Sequence, residues 1–186
     1  MRKVHVFNNV SIDGFFTDAS GDMSWAHRHD AEWTEFSSGN AGGQGELLFG
    51  RVTYEMMAAF WPTLQAAQML PEVAAGMNAM RKYVISRTLA SVSWQNTTLL
   101  KGDLAGEIRA LKAQDGPDVV ILGSGTVVSP LTAAKLIDGY QLVVSPTVLG
   151  RGRTLFETVT ERVGMTLTRT RSFQNGNVVL WYEPVA

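Results

Sequence analysis

The feature that most constrains this chain is an apolar strand that runs directly into a glycine and then into a helical pattern. The segment is Leu47-Leu48-Phe49-Gly50-Arg51-Val52-Thr53-Tyr54-Glu55. A glycine at the end of a strand allows close backbone approach, and the first N–H groups of the next helix have no partner within that helix. Such a junction favours an anion, and Arg51 adds a fixed positive charge with forked donors.

A second strand ends in the same way later in the chain. Its sequence is Val120-Ile121-Leu122-Gly123-Ser124-Gly125-Thr126. Because both junctions can offer backbone N–H groups to an anion, their presence in one small chain predicts a ligand with several phosphates.

Composition narrows the class of protein. The 186 residues are 45% hydrophobic and 18% charged, which predicts one globular domain over residues 1–186, without repeat or linker. The net charge of −1 argues against general nucleic-acid binding. The absence of cysteine excludes disulfides, zinc-cysteine sites and a thiol nucleophile. The short apolar run after Met1 argues against a signal peptide or membrane span, so we expect a cytoplasmic protein.

Periodicity predicts an alternation of strands and helices. Strands are expected over 3–10, 46–49, 82–86, 94–100, 119–122 and 140–145. Helices are expected over 22–36, 53–61, 104–116 and 126–136, with Pro130 near a first turn. Loops are expected at 11–16 and 39–45, and a loop or weak helix over 65–80. At the end, strands over 165–173 and 178–183 flank an Asn-Gly pair, which predicts an antiparallel hairpin after a mostly parallel sheet.

Five blocks in this order are similar to a known family. They are Ser11-Ile12-Asp13-Gly14, Phe49 to Glu55, Val84-Ile85-Ser86-Arg87-Thr88-Leu89, Gly123-Ser124-Gly125-Thr126-Val127-Val128, and Ser145 to Phe156. The chain resembles the α/β dihydrofolate-reductase-like fold. It is most similar to the reductase domain of the riboflavin-biosynthesis deaminase-reductases and their stand-alone relatives.

The resemblance implies a reductase that uses NADPH, and it assigns roles to the blocks. Gly50, Arg51 and Thr53 would meet the cofactor phosphates. Ser86, Arg87 and Thr88 would surround the adenosine ribose and its 2′-phosphate. The pyrophosphate would lie along Gly123, Ser124, Gly125, Thr126 and Val127. No metal site is expected, because His27 and His29 would point apart on a helix.

Fewer residues are candidates for the substrate site. Asp13 lies where the resemblance places the loop over nicotinamide and substrate, and is the first candidate for a catalytic group. Its alternative role is a turn with Gly14. Arg151 and Arg153 lie in a glycine-rich loop and could pair with a substrate phosphate, or the loop could be structural. Asp30 and Glu32 are candidate carboxylates of the 22–36 helix, or parts of a solvated helix face.

The expected function is therefore NADPH-dependent reduction of a small heterocyclic substrate. The most specific expectation is activity like that of 5-amino-6-(5-phosphoribosylamino)uracil reductase, in a homodimer with contacts near 178–182. A non-catalytic dinucleotide-binding or ligand-sensing module of the same fold is the alternative. A Rossmann dehydrogenase is disfavoured, because no Gly-x-Gly-x-x-Gly follows the first strand.

Overall fold

The computed structural model describes residues 1–28, 30–41 and 45–185. The strands in this part of the chain are β1 (Val4–Ser11), β2 (Phe15–Asp18), β3 (Glu46–Gly50), β4 (Lys82–Ile85), β5 (Thr97–Leu100), β6 (Val119–Leu122), β7 (Gly139–Ser145), β8 (Gly152–Thr154), β9 (Met165–Ser172) and β10 (Val178–Pro184). The helices are α1 (Ala31–Ala41), α2 (Arg51–Phe60), α3 (Leu64–Met69), α4 (Pro71–Ala79), α5 (Leu104–Ala113) and α6 (Gly125–Ala133).

Eight of these strands form one sheet in the order β5-β4-β3-β6-β1-β7-β10-β9. The pairs from β5 to β7 are parallel, whereas β10 runs antiparallel to both β7 and β9. The predicted fold class is therefore confirmed, including the antiparallel hairpin at the end of the chain. A second sheet pairs β2 with β8 and was not predicted, because strands of three and four residues are too short to show a period.

The predicted helix over 22–36 is wrong in its bounds. A short 3-10 helix occupies Ser24–Ala26, and α1 begins only after Asp30, whose Oδ1 accepts a hydrogen bond from the Trp33 N–H at 2.7 Å. That carboxylate satisfies an N–H group that the first turn leaves free, so it starts the helix at this point. The loop predicted over 39–45 is partly helical, since α1 continues to Ala41, and residues 42–44 lie outside the described part, as does His29.

The structure also differs from the predictions for residues 65–80 and for the position of Pro130 in its helix. Residues 65–80 form α3 and α4; α3 is capped by Thr63, and Pro71 occupies the first turn of α4. Pro130 lies in the second turn of α6 rather than the first. Pro130 and Thr126 are both exposed residues, so water can take the place of the N–H group that a proline cannot offer to the Thr126 carbonyl.

The side chains on the two faces of the large sheet pack differently. On one face Val4, Val6 and Ile121 form a continuous core with α5 and α6. On the other face the core is split: one cluster forms around Phe49 and Trp94 under α2 and α4, and another around Trp33 and Val143 under α1. The centre of this second face, between the two clusters, is open.

Candidate active site

A cleft of about 560 Å³ lies over the open centre of the second sheet face. Its floor is apolar, with Phe7 from β1 and Val120 and Leu122 from β6. One wall is α1, and the opposite wall is formed by α2 and α4 with the residues that follow them. The wall residues include Trp33, Thr34, Ser37 and Asn40 on one side and Val52, Met56, Met57, Trp61, Val73 and Met77 on the other. A flat apolar ring fits such a slot, with hydroxyl and amide groups at its edge.

The glycine-rich segments found in the sequence meet at one end of this cleft. β4, β3, β6 and β1 are adjacent and parallel, so their carboxyl ends lie side by side along one edge of the sheet. Ser86, Gly50, Gly123 and Ser11 stand at these four ends. Parallel strands are about 4.8 Å apart, so the row spans roughly 14 Å. Ligands of open α/β sheets bind at this edge.

The two glycine junctions are in direct contact. A Cβ atom on Gly50 would overlap the Ser124 hydroxyl and would lie 3.1 Å from Ser124 Cβ and 3.2 Å from Val127 Cγ2. Gly123 and Ser124 have φ values of 63° and 66°, which turn the chain sharply into α6. A Cβ atom on Gly123 would also press on the Thr53 side chain at 3.2 Å. Close packing therefore requires glycine at positions 50 and 123.

Asn8 of β1 stabilises the contact between the two junctions through a hydrogen bond to Gly123. It is only 2% exposed, and its Oδ1 accepts a hydrogen bond from the Gly123 N–H at 2.8 Å. Its Nδ2 is buried without a partner among the described residues, and the residue lines the cleft. A buried donor beside the first turn of α6 suits an anionic or carbonyl oxygen. Sequence reasoning missed Asn8, although a polar pair inside an apolar strand was a signal.

The predicted site residues fall into three groups. Those that line the cleft are Thr53, Gly123, Ser124, Gly125, Thr126 and Arg153. Gly50 and Val127 pack behind the Ser124 side chain. The others, Arg51, Ser86, Arg87, Thr88 and Arg151, are not among the described residues that line the cleft. Ser86 is buried and its Oγ accepts from the N–H groups of Thr88 and Leu89.

Asp13 is engaged in a loop contact. Its carboxylate accepts hydrogen bonds from the Ser11 hydroxyl at 2.6 Å and from the backbone N–H groups of Leu149 and Gly150. The Ser11 hydroxyl, followed by these two N–H groups, lowers the pKa of Asp13 to about 2. Asp13 is therefore ionised at neutral pH, and it ties the β1–β2 turn to the loop that leads into Arg153.

The carboxylates near α1 are also engaged elsewhere. Asp30 caps α1, while the Glu32 carboxylate accepts from Arg171 Nη2 at 3.1 Å. Among the described residues that line the cleft, there is no aspartate or glutamate. The polar residues that β1 and β7 contribute to its lining are amides instead: Asn8, Asn9 and Gln141.

Two features are absent from the described ranges of the chain. Residues 1–28, 30–41 and 45–185 contain no group of three or more histidine, aspartate or glutamate side chains placed to hold a metal ion. Over this part of the chain, no helix combines the length and apolar character needed to cross a bilayer.

Several known proteins are similar to this chain in sequence or share its fold. The uncharacterized protein YyaP of Bacillus subtilis (strain 168) is 26% identical over 183 residues, which cover 98% of this chain and 95% of YyaP. The deaminase/5-amino-6-(5-phosphoribosylamino)uracil reductase of Thermotoga maritima has the same fold, with a TM-score of 0.68 and 14% identity over 99% of this chain and 57% of that one. Dihydrofolate reductase of Enterococcus faecalis, solved with NADP(H), matches with a TM-score of 0.65 and 13% sequence identity, over 99% of this chain and 97% of that one. The model of the RibD C-terminal domain matches residues 2–179, so the chain belongs to that family.

Proposed function

We propose that this protein is an NADPH-dependent reductase that reduces a C=N or C=O bond in a small heterocyclic substrate. The observation that carries the proposal is the meeting of the two glycine junctions and the first turn of α6 at the end of an apolar cleft. A phosphate suits the first turn, and flat rings suit the cleft. The Thermotoga reductase and the NADP(H)-bound Enterococcus reductase, which share the fold, support this assignment.

The residues present fit a dinucleotide. Asn8 offers a buried donor beside Gly123, and the left-handed turn at Gly123 and Ser124 presents the first turn of α6 to the cleft. The bound cofactor would supply the hydride, while the chain binds and orients it. The pyrophosphate would lie along Gly123, Ser124, Gly125 and Thr126, backed by Val127, and the facing junction would contribute Gly50 and Thr53.

The adenosine part of the bound NADPH would lie near the end of β4. Arg87 is exposed just beyond this strand, and Arg51 is half-exposed at the start of α2. Arg51 Nη1 lies 2.9 Å from Glu55 Oε2 one helical turn away. Such exposed pairs contribute only about 0.3–0.5 kcal/mol, so a 2′-phosphate can replace Glu55 as the partner of Arg51. Ser86 and Thr88 would contact the ribose.

The most specific form of the proposal is activity like that of 5-amino-6-(5-phosphoribosylamino)uracil reductase. Arg153 lines the cleft, and its guanidinium lies 5.9 Å from the centre of the Phe16 ring. Its contact with Glu157 is long, at 3.4 Å, and half-exposed, so Arg153 is free to bind a substrate phosphate. Arg151 is exposed in the loop that precedes β8 and would add a second charge.

The contacts of Asp13 favour a role other than proton donation. A carboxyl group with a pKa near 2 holds almost no proton at neutral pH, so it is a poor proton donor. We assign it instead to positioning: through the Gly150 N–H it fixes the loop that carries Arg151 and leads into Arg153 of β8. The proton for the reduced product would then come from another source, such as water.

The direct test measures NADPH oxidation at 340 nm with 5-amino-6-(5-phosphoribosylamino)uracil as substrate, alongside NADPH binding by fluorescence. Turnover with this substrate and none with dihydrofolate would support the specific proposal. NADPH binding without turnover across pyrimidine and pterin substrates would instead support the alternative, a non-catalytic dinucleotide-binding module. If NADPH does not bind at all, both are wrong.

A homodimer and a cytoplasmic location complete the proposal. β10 lies between β7 and β9, so both of its edges are already hydrogen-bonded. A dimer contact near 178–182 would therefore have to use a face of this strand rather than an edge. Light scattering after gel filtration tests the assembly.

A further inference from the structure

The floor of the cleft holds two amide side chains with unpartnered atoms. Asn9 lies on β1 and Gln141 on β7, and both line the cleft. Asn9 Oδ1 and Gln141 Nε2 are buried, and neither has a hydrogen-bond partner among the described residues. A buried polar group without a partner is destabilising by about 1–3 kcal/mol. The two atoms therefore indicate that a polar ligand completes this part of the site.

The two amides lie close enough to bind one small ring. β1 and β7 are parallel, Phe7 pairs with Gln141, and Asn9 lies two residues further along the same face of β1. With strands about 4.8 Å apart and a rise of about 3.3 Å per residue, their Cα atoms are roughly 8 Å apart. A ring on the floor beneath Thr34 and Ser37 of α1 can present one edge to both side chains.

The charge of the site indicates which hydrogen-bonding groups the bound edge of the ring would carry. A primary amide is neutral and offers one acceptor and two donors, whereas a carboxylate only accepts. An amide pair therefore complements an edge with an N–H beside a C=O. A carboxylate would complement an edge of two N–H groups that gains a proton, and none of the described cleft residues carries one.

We propose that Asn9 and Gln141 read the amide edge of a neutral ring, and so select lactam heterocycles over diaminopyrimidines. This inference rests on the proposed function, whose substrate it defines in chemical terms. The nicotinamide carboxamide of the cofactor carries the same N–H and C=O groups, so the experiment needs separate arms for substrate ring and cofactor.

The test uses NMR titrations of the whole protein with uracil, 1,3-dimethyluracil and 2,4-diaminopyrimidine, with and without NADPH. Uracil should bind about tenfold more tightly than either other ring, since dimethyluracil has lost its N–H groups and each lost hydrogen bond is worth about tenfold. Asn9→Leu should abolish the preference for uracil over 1,3-dimethyluracil, because Asn9 Oδ1 is the acceptor for the ring N–H, whereas Gln141→Leu should weaken both of these rings alike. Gln141→Glu should reverse the preference for uracil in favour of 2,4-diaminopyrimidine, a change that a merely structural role would not produce.

The exposed Gln114, at the end of α5 on the other face of the sheet, provides a matched control as Gln114→Leu. The Gln114→Leu variant should bind all three rings with the same affinities as the unaltered protein. If Gln141→Leu and Asn9→Leu weaken NADPH rather than uracil, the amide edge that they read belongs to the cofactor, and selection of the substrate is refuted. Equal binding of all three rings to the unaltered protein, or an unchanged preference for uracil over 1,3-dimethyluracil in Asn9→Leu, would also overturn the inference. Because the ring titrations are also run without NADPH, failure of the cofactor proposal is seen separately.

Discussion

Replacement of Gly50 by alanine tests the contact between the two glycine junctions. The new methyl group would overlap the Ser124 hydroxyl and press on Ser124 Cβ and Val127 Cγ2 at 3.1 and 3.2 Å. The hydroxyl can rotate, but the two carbons belong to the residue that caps α6 and to the first turn of this helix, and they must shift. Overpacking of this kind is destabilising by about 1–3 kcal/mol. For a chain of this length, about 2 kcal/mol lowers Tm by about 4–8 °C.

A second substitution identifies the cause. Ser124 has a φ of 66°, a conformation that is unfavourable by about 1–2 kcal/mol for a residue with a side chain, so Ser124→Gly alone should stabilise the protein. In Gly50→Ala/Ser124→Gly the hydroxyl and Cβ that obstruct the new methyl are gone. The double variant should therefore be more stable than the sum of the single effects, with a coupling of about 1–2 kcal/mol.

Urea unfolding followed by circular dichroism measures these free energies, and fluorescence titration measures NADPH affinity. Gly50→Ala should also weaken NADPH, because the first turn of α6 is displaced. Gly39→Ala is the matched control: Gly39 is exposed in α1 with nothing within 4 Å of a new Cβ, so helix propensity should make this variant more stable by about 0.5–1 kcal/mol. The reasoning is refuted if Gly50→Ala is as stable as the unaltered protein, or if the two substitutions are additive.

Three further predictions concern charged groups. Asp13→Asn should raise the KM for a phosphorylated substrate more than it lowers kcat, because it frees the loop that leads into Arg153; a loss confined to kcat would indicate direct catalysis. The lowered pKa also means that the contribution of Asp13 to stability is present above pH 3.8 and is lost as the pH falls towards about 2, which acid unfolding of the two proteins would show. Arg51→Ala and Arg87→Ala should each weaken NADPH about tenfold more than NADH if they bind the 2′-phosphate, and equal losses would refute that role. Lys82→Met should destabilise the protein by about 2 kcal/mol, since three carbonyls at the end of α4 lose their donor. Burial lowers the pKa of Lys82 to about 8, so the unfolded state binds more protons between pH 8 and 10.5, and the stability difference from Lys82→Met should widen across that range.

The sequence predicted most of the large sheet because its strands are apolar and end in recognisable turns. Val119–Leu122 reads as a buried strand without any tertiary information, and Asn175-Gly176 marks the final hairpin. The start of α1 was missed because Trp25 and Trp33 share a helical spacing that continues across the break. Only the capping contact of Asp30 shows where the helix begins.

The candidate site was predictable only in part. Glycine-rich strand ends are local patterns, and Thr53 and the segment from Gly123 to Thr126 do line the cleft. Asn8, Asn9 and Gln141 match no known motif, and although the adjacent asparagines stand out in an apolar strand, the sequence does not show whether an amide there faces solvent or a ligand. Asp13 has a turn signal, but its contact with Gly150 joins segments that are far apart in the chain.

The sequence alone therefore determined the sheet-forming segments, the hairpin and the two junctions with backbone N–H groups for an anion, since all of these arise from neighbouring residues. The tertiary structure decided how these parts meet. Strand order places Gly50 against Ser124, and the split core on one sheet face opens the cleft above Phe7 and Gln141. Both depend on packing between distant segments, which local propensity does not encode.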